Sequence, residues 1–509
     1  MKRNITKDFI IVALVVVLGK ILGFARELVV SYLYGSSAIT DAFYYVNGII
    51  TALLAIVTMG LGQAFTPTYI DLTLKESKKS ANIFTNKILT ILLGIGLLLT
   101  VVIALFPRTC INLLAPNMDK NTAALSADMM RIMIVSFPVY IAFSIRKCIL
   151  NSNHKYVVTE ASGIPYSLAI TLITFMLFRS IGDMALPIAA VVGVISQLIF
   201  TFLFSRKDYL FRPDLRIVND RNVTDYFKLL IPIFVCAVME EANGLIRRSL
   251  AGEIATGAIA NLSYCMNLTA LVNGIVIASL STVFFPSLIR DYSENNIEGF
   301  QKNMDKCLSI TSVLVIPIIA FLAVFSKDVV RIIYQRGEFL PSDTEVVASL
   351  FSIYIVGTIV YAYRYIIRNA FYATKNVKLP MINEIVYLLI CIACNVFQVK
   401  VLHLDLDALG IAWVISITLT TPFLFISFKK KYFPVFTRSM GLETLKAAVC
   451  AVIATVATVY LGNFTQNMNL YLNMALLLSG FVVIYVVAMY ICKSHTLKDV
   501  LHSFAKAKQ

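Results

Sequence analysis

The chain has 509 residues, of which 59% are hydrophobic and only 14% are charged, with a net charge of +15. A soluble protein carries about 25% charged residues, so this composition excludes a soluble globular protein. The mean hydropathy of +0.80 points the same way. We therefore predict an all-α polytopic membrane protein.

Apolar segments long enough to cross a bilayer, about 20 residues each, occur along the whole chain. We count about fourteen such spans. In chain order they lie at residues 8–33, 39–64, 84–106, 127–150, 157–178, 184–205, 226–250, 257–287, 308–326, 346–373, 380–401, 407–428, 441–462 and 470–492.

Lysine and arginine are concentrated in alternate connections between these spans. They are abundant at residues 75–79, 206–221 and 429–438, whereas residues 35–40 and 463–469 carry no charge. Because positively charged loops stay in the cytoplasm, we expect an even number of spans with both termini cytoplasmic. The basic loops and anionic lipid headgroups account for the net charge, so we expect no nucleic-acid partner.

No sequence pattern indicates catalysis or a bound cofactor. The four histidines are scattered at His154, His403, His495 and His502, without metal-ligand spacing. The chain has no phosphate-binding loop of the G-x-x-x-x-G-K-[ST] type. We expect no enzyme activity and no cofactor other than a coupling ion, whose identity the sequence does not give.

Two spans that lie about 220 residues apart place several charges at membrane depth, each costing about 2.5–3.5 kcal/mol at a helix centre. At 100° per residue, the charges of each span share one face. We predict that these faces line a water-filled path for an anionic substrate. The alternative is that they only hold helices together, Lys20 pairing with Glu27 and Glu240 with Arg247. The residues are Lys20, Arg26 and Glu27 in the first span, and Glu240, Glu241, Arg247 and Arg248 in the seventh.

The chain also shows a weak internal repeat. Placing Tyr44 on Tyr264 aligns residues 38–41 with residues 258–261. Such a repeat, with both halves starting on the same side, predicts two parallel, pseudo-symmetric six-helix lobes with a binding site between them. We assign residues 1–222 to an N-lobe, residues 223–432 to a C-lobe, and residues 433–509 to two further spans and a cytoplasmic tail.

Three stretches of sequence resemble the MurJ (MviN) lipid II flippases of the MOP transporter superfamily. The opening stretch runs from Gly19-Lys20-Ile21-Leu22-Gly23-Phe24-Ala25-Arg26-Glu27 through Thr40-Asp41-Ala42-Phe43 to Gly62-Gln63-Ala64-Phe65-Thr66-Pro67. Residues 330–339 resemble the family's external loop, and residues 363–373 resemble its tenth span.

The resemblance implies a fourteen-helix monomer in the bacterial cell membrane with a central cationic cavity. Its expected substrate is an undecaprenyl-pyrophosphate-linked peptidoglycan precursor, moved to the outer leaflet by alternating access without ATP. The expected partners are this lipid-linked glycan and the membrane lipids. The last two helices are expected to offer the polyprenyl tail a groove.

The family's site residues transfer only in part. Arg26 and Asp41 match, and Lys20 stands where the family usually has arginine. Thr51-Ala52-Leu53-Leu54-Ala55 lacks the basic residue expected in the second span, and Asn267 stands at the expected eighth-span arginine. We hypothesise that Arg247 and Arg248 supply these charges. A flippase for another polyprenyl-linked glycan, or a drug or metabolite antiporter of the superfamily, are therefore the alternative functions.

The remaining charges in the spans have two interpretations each. Arg364 and Arg368 lie one turn apart in the tenth span, so they either reach to the cytoplasmic interface or close an inner gate. Glu160 and Glu384 are single carboxylates in spans. For these we favour a hydrogen bond to a neighbouring helix, or a position at the interface, over proton or sodium coupling.

Overall fold

The computed structural model describes residues 5–216, 220–274, 278–433, 437–465 and 468–499, and these segments contain α-helices and no strand. Two π-helical turns, Leu61–Phe65 and Phe397–Val401, interrupt the regular helices. The α-helices are α1 (Ile5–Tyr34), α2 (Ala38–Gly60), α3 (Thr66–Lys75), α4 (Lys78–Leu105), α5 (Pro107–Leu114), α6 (Lys120–Met133), α7 (Ser136–Ser152), α8 (Tyr156–Ala161), α9 (Gly163–Ile181), α10 (Ala185–Ser205), α11 (Arg221–Ile254), α12 (Ala258–Val272), α13 (Ala278–Ser293), α14 (Ile297–Val324), α15 (Ser326–Tyr334), α16 (Pro341–Ala373), α17 (Lys378–Val396), α18 (Asp407–Lys431), α19 (Arg438–Thr465) and α20 (Leu470–Ile491).

Helices lie at every span predicted from the sequence, and the all-α polytopic membrane fold is confirmed. Within the described residues, 9 segments are long and apolar enough to cross a membrane, or up to 10 if one bent pair is counted. The bent pair is α6 and α7, which meet at 50° in the predicted fourth span. The charged helices α1 and α11 are not among the nine.

Helix boundaries follow from local sequence. Ser37 caps α2 in a capping box with Thr40, satisfying backbone N–H groups that have no partner in the first turn. Gly35, which ends the turn from α1, has a φ of +56°, and Gly257, before α12, has a φ of +87°. Glycine adopts this left-handed conformation without steric cost, so both glycines allow a sharp reversal between long helices.

The first compact unit comprises residues 1–260 together with residues 336–340. Helix α2 packs against α6 and α11, and α9 packs against α1 and α10. At one end of this unit Asp208 accepts hydrogen bonds from Lys78 at 2.9 Å and from Lys155 at 2.7 Å. This carboxylate therefore ties the turn after α10 to the start of α4 and to the connection before α8.

The second compact unit comprises residues 261–335 and 341–509. Helix α16 packs against α14 and α18, and α19 packs against α14 and α20. A buried aromatic cluster, formed by Phe300, Phe371, Phe428 and Phe433, lies at one end of this unit. The two packing units differ from the predicted lobes, since α11 belongs to the first. The lobe boundaries rest on counting spans and stay a prediction.

Candidate functional site

The two charges at positions 26 and 27 of α1 pair with each other. Arg26 forms an ion pair with Glu27, with Nε 3.1 Å from Oε1. The other carboxylate oxygen accepts a hydrogen bond from the Tyr44 hydroxyl of α2 at 2.6 Å. The guanidinium of Arg26 also lies over the Tyr166 ring, 5.3 Å from its centroid. Glu27 thus neutralises Arg26 and joins α1 to α2.

Lys20 lies on the same helix but is placed differently. Its side chain is exposed, and it forms no hydrogen bond or ion pair with the part of the chain that the structure describes. The pairing of Lys20 with Glu27 considered from the sequence is not formed, because Arg26 occupies that carboxylate. Lys20 therefore keeps its charge available to a ligand.

Arg248 of α11 packs against the backbone of α2 at Gly48. A methyl group at position 48 would lie 2.8 Å from Nη1 and 3.0 Å from Cζ of Arg248. These contacts are tighter than van der Waals packing allows, so only glycine leaves room for the guanidinium in this position. Small residues in membrane helices let a neighbouring group approach closely, which is the one sequence signal that Gly48 carried.

The half-buried Arg248 has no direct anionic partner among the described residues: it forms neither a hydrogen bond nor an ion pair there. The acid whose charge acts on it is Glu241, two turns earlier on the same helix. Glu241 also feels the like charge of Glu240. A half-buried guanidinium whose five N–H donors meet no acceptor among the described residues is suited to bind a phosphate group.

The other predicted residues of α11 and α12 lie at varied depths. Arg247 and Glu241 are half-buried and Glu240 is exposed. Asn267 is half-buried on α12, in the second compact unit. The pairing of Glu240 with Arg247 stays a prediction.

Asp41 is almost completely buried, with 1% of its surface exposed, and it caps the start of another helix. One carboxylate oxygen accepts the backbone N–H of Gly257 at 2.5 Å, and the other accepts that of Ala260 at 2.7 Å. A negative charge at a helix N-terminus satisfies N–H groups that lack a helical partner. Asp41 itself lies in the first turn of α2, but its carboxylate accepts hydrogen bonds from N–H groups at the start of α12.

A short segment after α15 belongs to the same packing unit as α1 and α2. Glu338 donates its backbone N–H to the Tyr32 carbonyl at 3.0 Å. Gly35 abuts the Glu338 carbonyl, and Gly337, with a φ of +63°, abuts the carbonyl of Tyr32. The segment matched the family's external loop in sequence, but its contact with the turn after α1 could not be read from the pattern.

Arg364 and Arg368 of α16 share one acid in the second unit. Arg364 donates to Glu384 of α17 at 3.0 Å and to the Thr420 hydroxyl of α18 at 2.9 Å. Arg368 lies 3.8 Å from the same Glu384 oxygen. Only 4% of the Arg364 side chain is exposed, so its guanidinium is enclosed by the protein, and both interpretations of this arginine pair stay predictions. Glu384 makes the hydrogen bond to a neighbouring helix that the sequence favoured.

Two further features concern ions. Glu160, the other single carboxylate, lies 3.9 Å from Lys147, and both side chains are 40% exposed. Across the described segments, no group of three or more His, Cys, Asp or Glu side chains is arranged to hold a metal ion. The identity of any coupling ion stays open to experiment.

The sequence of this chain matches a family model over residues 30–494, and that family is described as lipid II flippase MurJ. A protein of Buchnera aphidicola (strain APS), described as a probable lipid II flippase MurJ, is 28% identical over 434 residues, covering 84% of each chain. One of Thermotoga maritima with the same description is 23% identical over 485 residues, covering 95% of each chain.

Solved structures share the fold. A lipid II flippase MurJ in an inward closed conformation superposes with a TM-score of 0.82, at 21% identity, covering 97% of this chain and 100% of the other. An inward-facing multidrug resistance MATE transporter of the MOP superfamily gives a TM-score of 0.68 at 13% identity, covering 83% and 98%. With the family model matched over most of its length, this multi-pass membrane protein belongs to the MurJ lipid II flippase family of transporters.

Proposed function

We propose that this chain moves a polyprenyl-pyrophosphate-linked peptidoglycan precursor, lipid II, from the cytoplasmic to the outer leaflet of a bacterial cell membrane. Membership of the MurJ family supports this transport activity, and the relatives named above are described as probable lipid II flippases. The protein acts by alternating access and not as an enzyme. It works as a monomer. Both termini lie in the cytoplasm, a proposal supported by the distribution of basic loops.

The observation that carries this proposal is the guanidinium of Arg248, which lies against Gly48 and has no direct anionic partner among the described residues. A cation at membrane depth costs several kcal/mol unless a counter-charge or water compensates it. A pyrophosphate carries about two negative charges and several acceptor oxygens, and it faces the same cost on its own. Each group offsets the desolvation of the other, so the pair is stable where neither is alone.

The other predicted site residues take supporting roles. Lys20, which is exposed and has no ion-pair partner within the described segments, adds a second cation with freedom to move. Arg26 is balanced by Glu27 and contributes chiefly when that pair opens. Arg247 and Asn267 are proposed as further polar contacts to the headgroup, with Glu240 and Glu241 limiting the net positive charge. Asp41 contacts substrate only in a state in which its bonds to Gly257 and Ala260 are broken.

Replacement of the essential lipid II flippase of a bacterial cell tests the proposal. We expect the wild-type gene to restore growth and to restore lipid II in the outer leaflet, measured by its accessibility to an external probe. Arg248→Ala should lose both at an unchanged protein level. Arg131→Ala is the matched control, because Arg131 is an exposed arginine of the same unit paired with Asp128.

Failure of the wild-type gene to rescue would overturn the lipid II assignment. Export of a different polyprenyl-linked glycan, or efflux of cationic drugs in the same cells, would identify the alternatives. The second alternative has structural support in the similarity to the MATE transporter.

A further inference from the structure

A cavity of about 570 Å³ lies within the second compact unit, between α16, α18 and α19. It is separate from the charged residues discussed above. Its walls are mainly apolar and are formed by Ile359, Val360, Pro422, Phe425, Ile426 and Met440.

Three of the hydroxyls that line this cavity, those of Tyr363, Thr421 and Thr444, have hydrogen-bond partners within the protein. Ser312 is 2.7 Å from the Tyr363 hydroxyl and 2.8 Å from the Thr444 hydroxyl. Thr421 donates to the Ile417 carbonyl at 2.6 Å. Because these hydroxyls already have hydrogen-bond partners, they do not require a polar ligand. An apolar chain therefore fits the cavity.

One end of the cavity carries a positive charge. Lys429 lines the cavity and is exposed, and it forms no ion pair or hydrogen bond within the described segments. Thr418, Pro422, Phe425 and Lys429 follow one another at intervals of three or four residues, which places them on one face of α18. The lysine therefore stands at the end of the same groove that the apolar side chains form.

The length of the groove matches one leaflet of a membrane. At a rise of 1.5 Å per residue, Thr418 and Lys429 are separated by about 16 Å along α18. The hydrocarbon core of a bilayer is about 30 Å thick, so one leaflet is about 15 Å. The basic last turn of α18, Lys429 to Lys431, marks the headgroup end.

We propose that this cavity, which we call the α18 groove, binds one acyl chain of an anionic glycerophospholipid, with its phosphate held by Lys429. The cavity is mainly apolar and follows α18 for about the depth of one leaflet. Lys429, which has no ion-pair partner among the described residues, lies at its headgroup end. A long polyprenyl tail would extend well beyond a groove of one leaflet. The proposal concerns a resident membrane lipid and does not depend on which molecule the protein transports.

A tryptophan placed in the groove provides a local test. The chain has a single tryptophan, Trp413, so a Trp413→Phe, Ile426→Trp background carries its only indole on the groove wall. The full-length protein in detergent is titrated with phosphatidylglycerol or phosphatidylcholine, both with brominated acyl chains that quench tryptophan. We expect phosphatidylglycerol to quench at about fivefold lower concentration, from about 1 kcal/mol per lysine at a membrane surface.

Two lysine variants distinguish the groove from general attraction to a basic surface. Lys429→Gln should abolish the preference for phosphatidylglycerol, whereas Lys430→Gln should keep it, because Lys430 is an exposed lysine of the same turn that does not line the cavity. Equal effects of the two variants, or equal quenching by the two lipids in the reporter background, would overturn the proposal.

A third variant fills the groove without disturbing its charge. Gly441 lines the cavity, and no atom lies within 4 Å of a Cβ added there. Gly441→Leu should therefore reduce quenching by both lipids while the unfolding temperature stays unchanged. Undisturbed quenching in this variant would place the lipid elsewhere. Competition by undecaprenyl phosphate, with none by unbrominated phosphatidylglycerol, would assign the groove to a polyprenyl chain and contradict the proposal.

Discussion

Each unit of the protein holds an arginine that is at least half-buried within a long helix, but the surroundings of the two charges differ. In the second unit, Arg364 is bonded to Glu384 and Thr420, and Arg368 lies near the same acid. In the first unit, Arg248 lies against Gly48 and has no direct acceptor in the part of the chain that the structure describes. We expect the paired charge to stabilise helix packing and the charge of Arg248 to be available for a ligand. The comparison predicts stability effects in one unit and transport effects in the other.

The largest effect is expected from Arg248→Ala, which should abolish lipid II flipping and leave the unfolding temperature within experimental error. This substitution removes no hydrogen bond or ion pair with any residue that the structure describes. Arg248→Lys should retain part of the activity, since it keeps the charge and loses the bidentate geometry. Flipping in cells and thermal unfolding of the purified protein are the two measurements. A large loss of stability in Arg248→Ala would break the comparison.

Gly48→Ala should reduce flipping while Arg248 itself is unchanged. The added methyl group would lie 2.8 Å from Nη1 of Arg248 and displace the flexible guanidinium. Gly244→Ala is the matched control, because its methyl group would lie 3.7 Å from the same nitrogen, an ordinary contact. Flipping rates of the two variants at equal protein level give the result, and equal rates would remove Gly48 from the site.

Glu384→Ala should lower the free energy of unfolding by about 2 kcal/mol, because the buried Arg364 loses a charged hydrogen bond. The control is Glu345→Ala, which removes an exposed ion pair with Lys327. Exposed pairs contribute about 0–1 kcal/mol. Denaturant unfolding in detergent measures both variants. A loss no greater than that of the control would show that Glu384 is not needed for packing.

Asp41→Ala should cost about 1 kcal/mol, the usual value for a lost helix cap. Asp41→Asn should cost less, since its amide oxygen still accepts one N–H. Hydrogen exchange at Gly257 and Ala260 should increase in the alanine variant, because their N–H groups lose their acceptor. Unchanged exchange at both positions would contradict the cap.

The smallest effect is expected from pH. Partial burial raises the pKa of Asp208, but hydrogen bonds from Lys155 and Lys78 lower it by more, so its pKa lies below the ordinary value. The stabilisation is therefore fully present above about pH 4, the ordinary value for Asp, and is lost as the pH falls through the pKa of the folded protein. The difference in unfolding temperature between wild type and Asp208→Asn should be constant from pH 7 to pH 5 and narrow below pH 4. If the difference in unfolding temperature instead grows on acidification, the pKa of Asp208 is not lowered in the folded protein.

The sequence predicted the membrane helices well because hydrophobic length is a local property. Helical spacing relates residues close in sequence, so it also predicted charged faces on α1 and α11; their role stays a prediction. It did not identify which groups these charges meet. Glu27, which we considered as a partner for Lys20, forms its ion pair with Arg26. Asp41 caps a helix that lies more than 200 residues further along the chain. Such choices depend on packing between distant segments, which no periodicity records.

Gly48 illustrates the same limit. A glycine inside a membrane helix indicates close approach by some neighbour, but the neighbour, Arg248, is set by how α2 and α11 cross. For Glu384 the sequence predicted a hydrogen bond to a neighbouring helix, but it did not identify Arg364 as the partner.

The segment 336–340 belongs to a different packing unit from the residues on either side of it in the sequence. It emerges between α15 and α16 yet belongs to the packing unit of α1 and α2, where Glu338 bonds to Tyr32. A fragment ending at residue 260 would lack these five residues and leave the Tyr32 carbonyl without its donor. Of two separately expressed halves, the first would therefore lack part of its own packing unit unless this peptide were added to it.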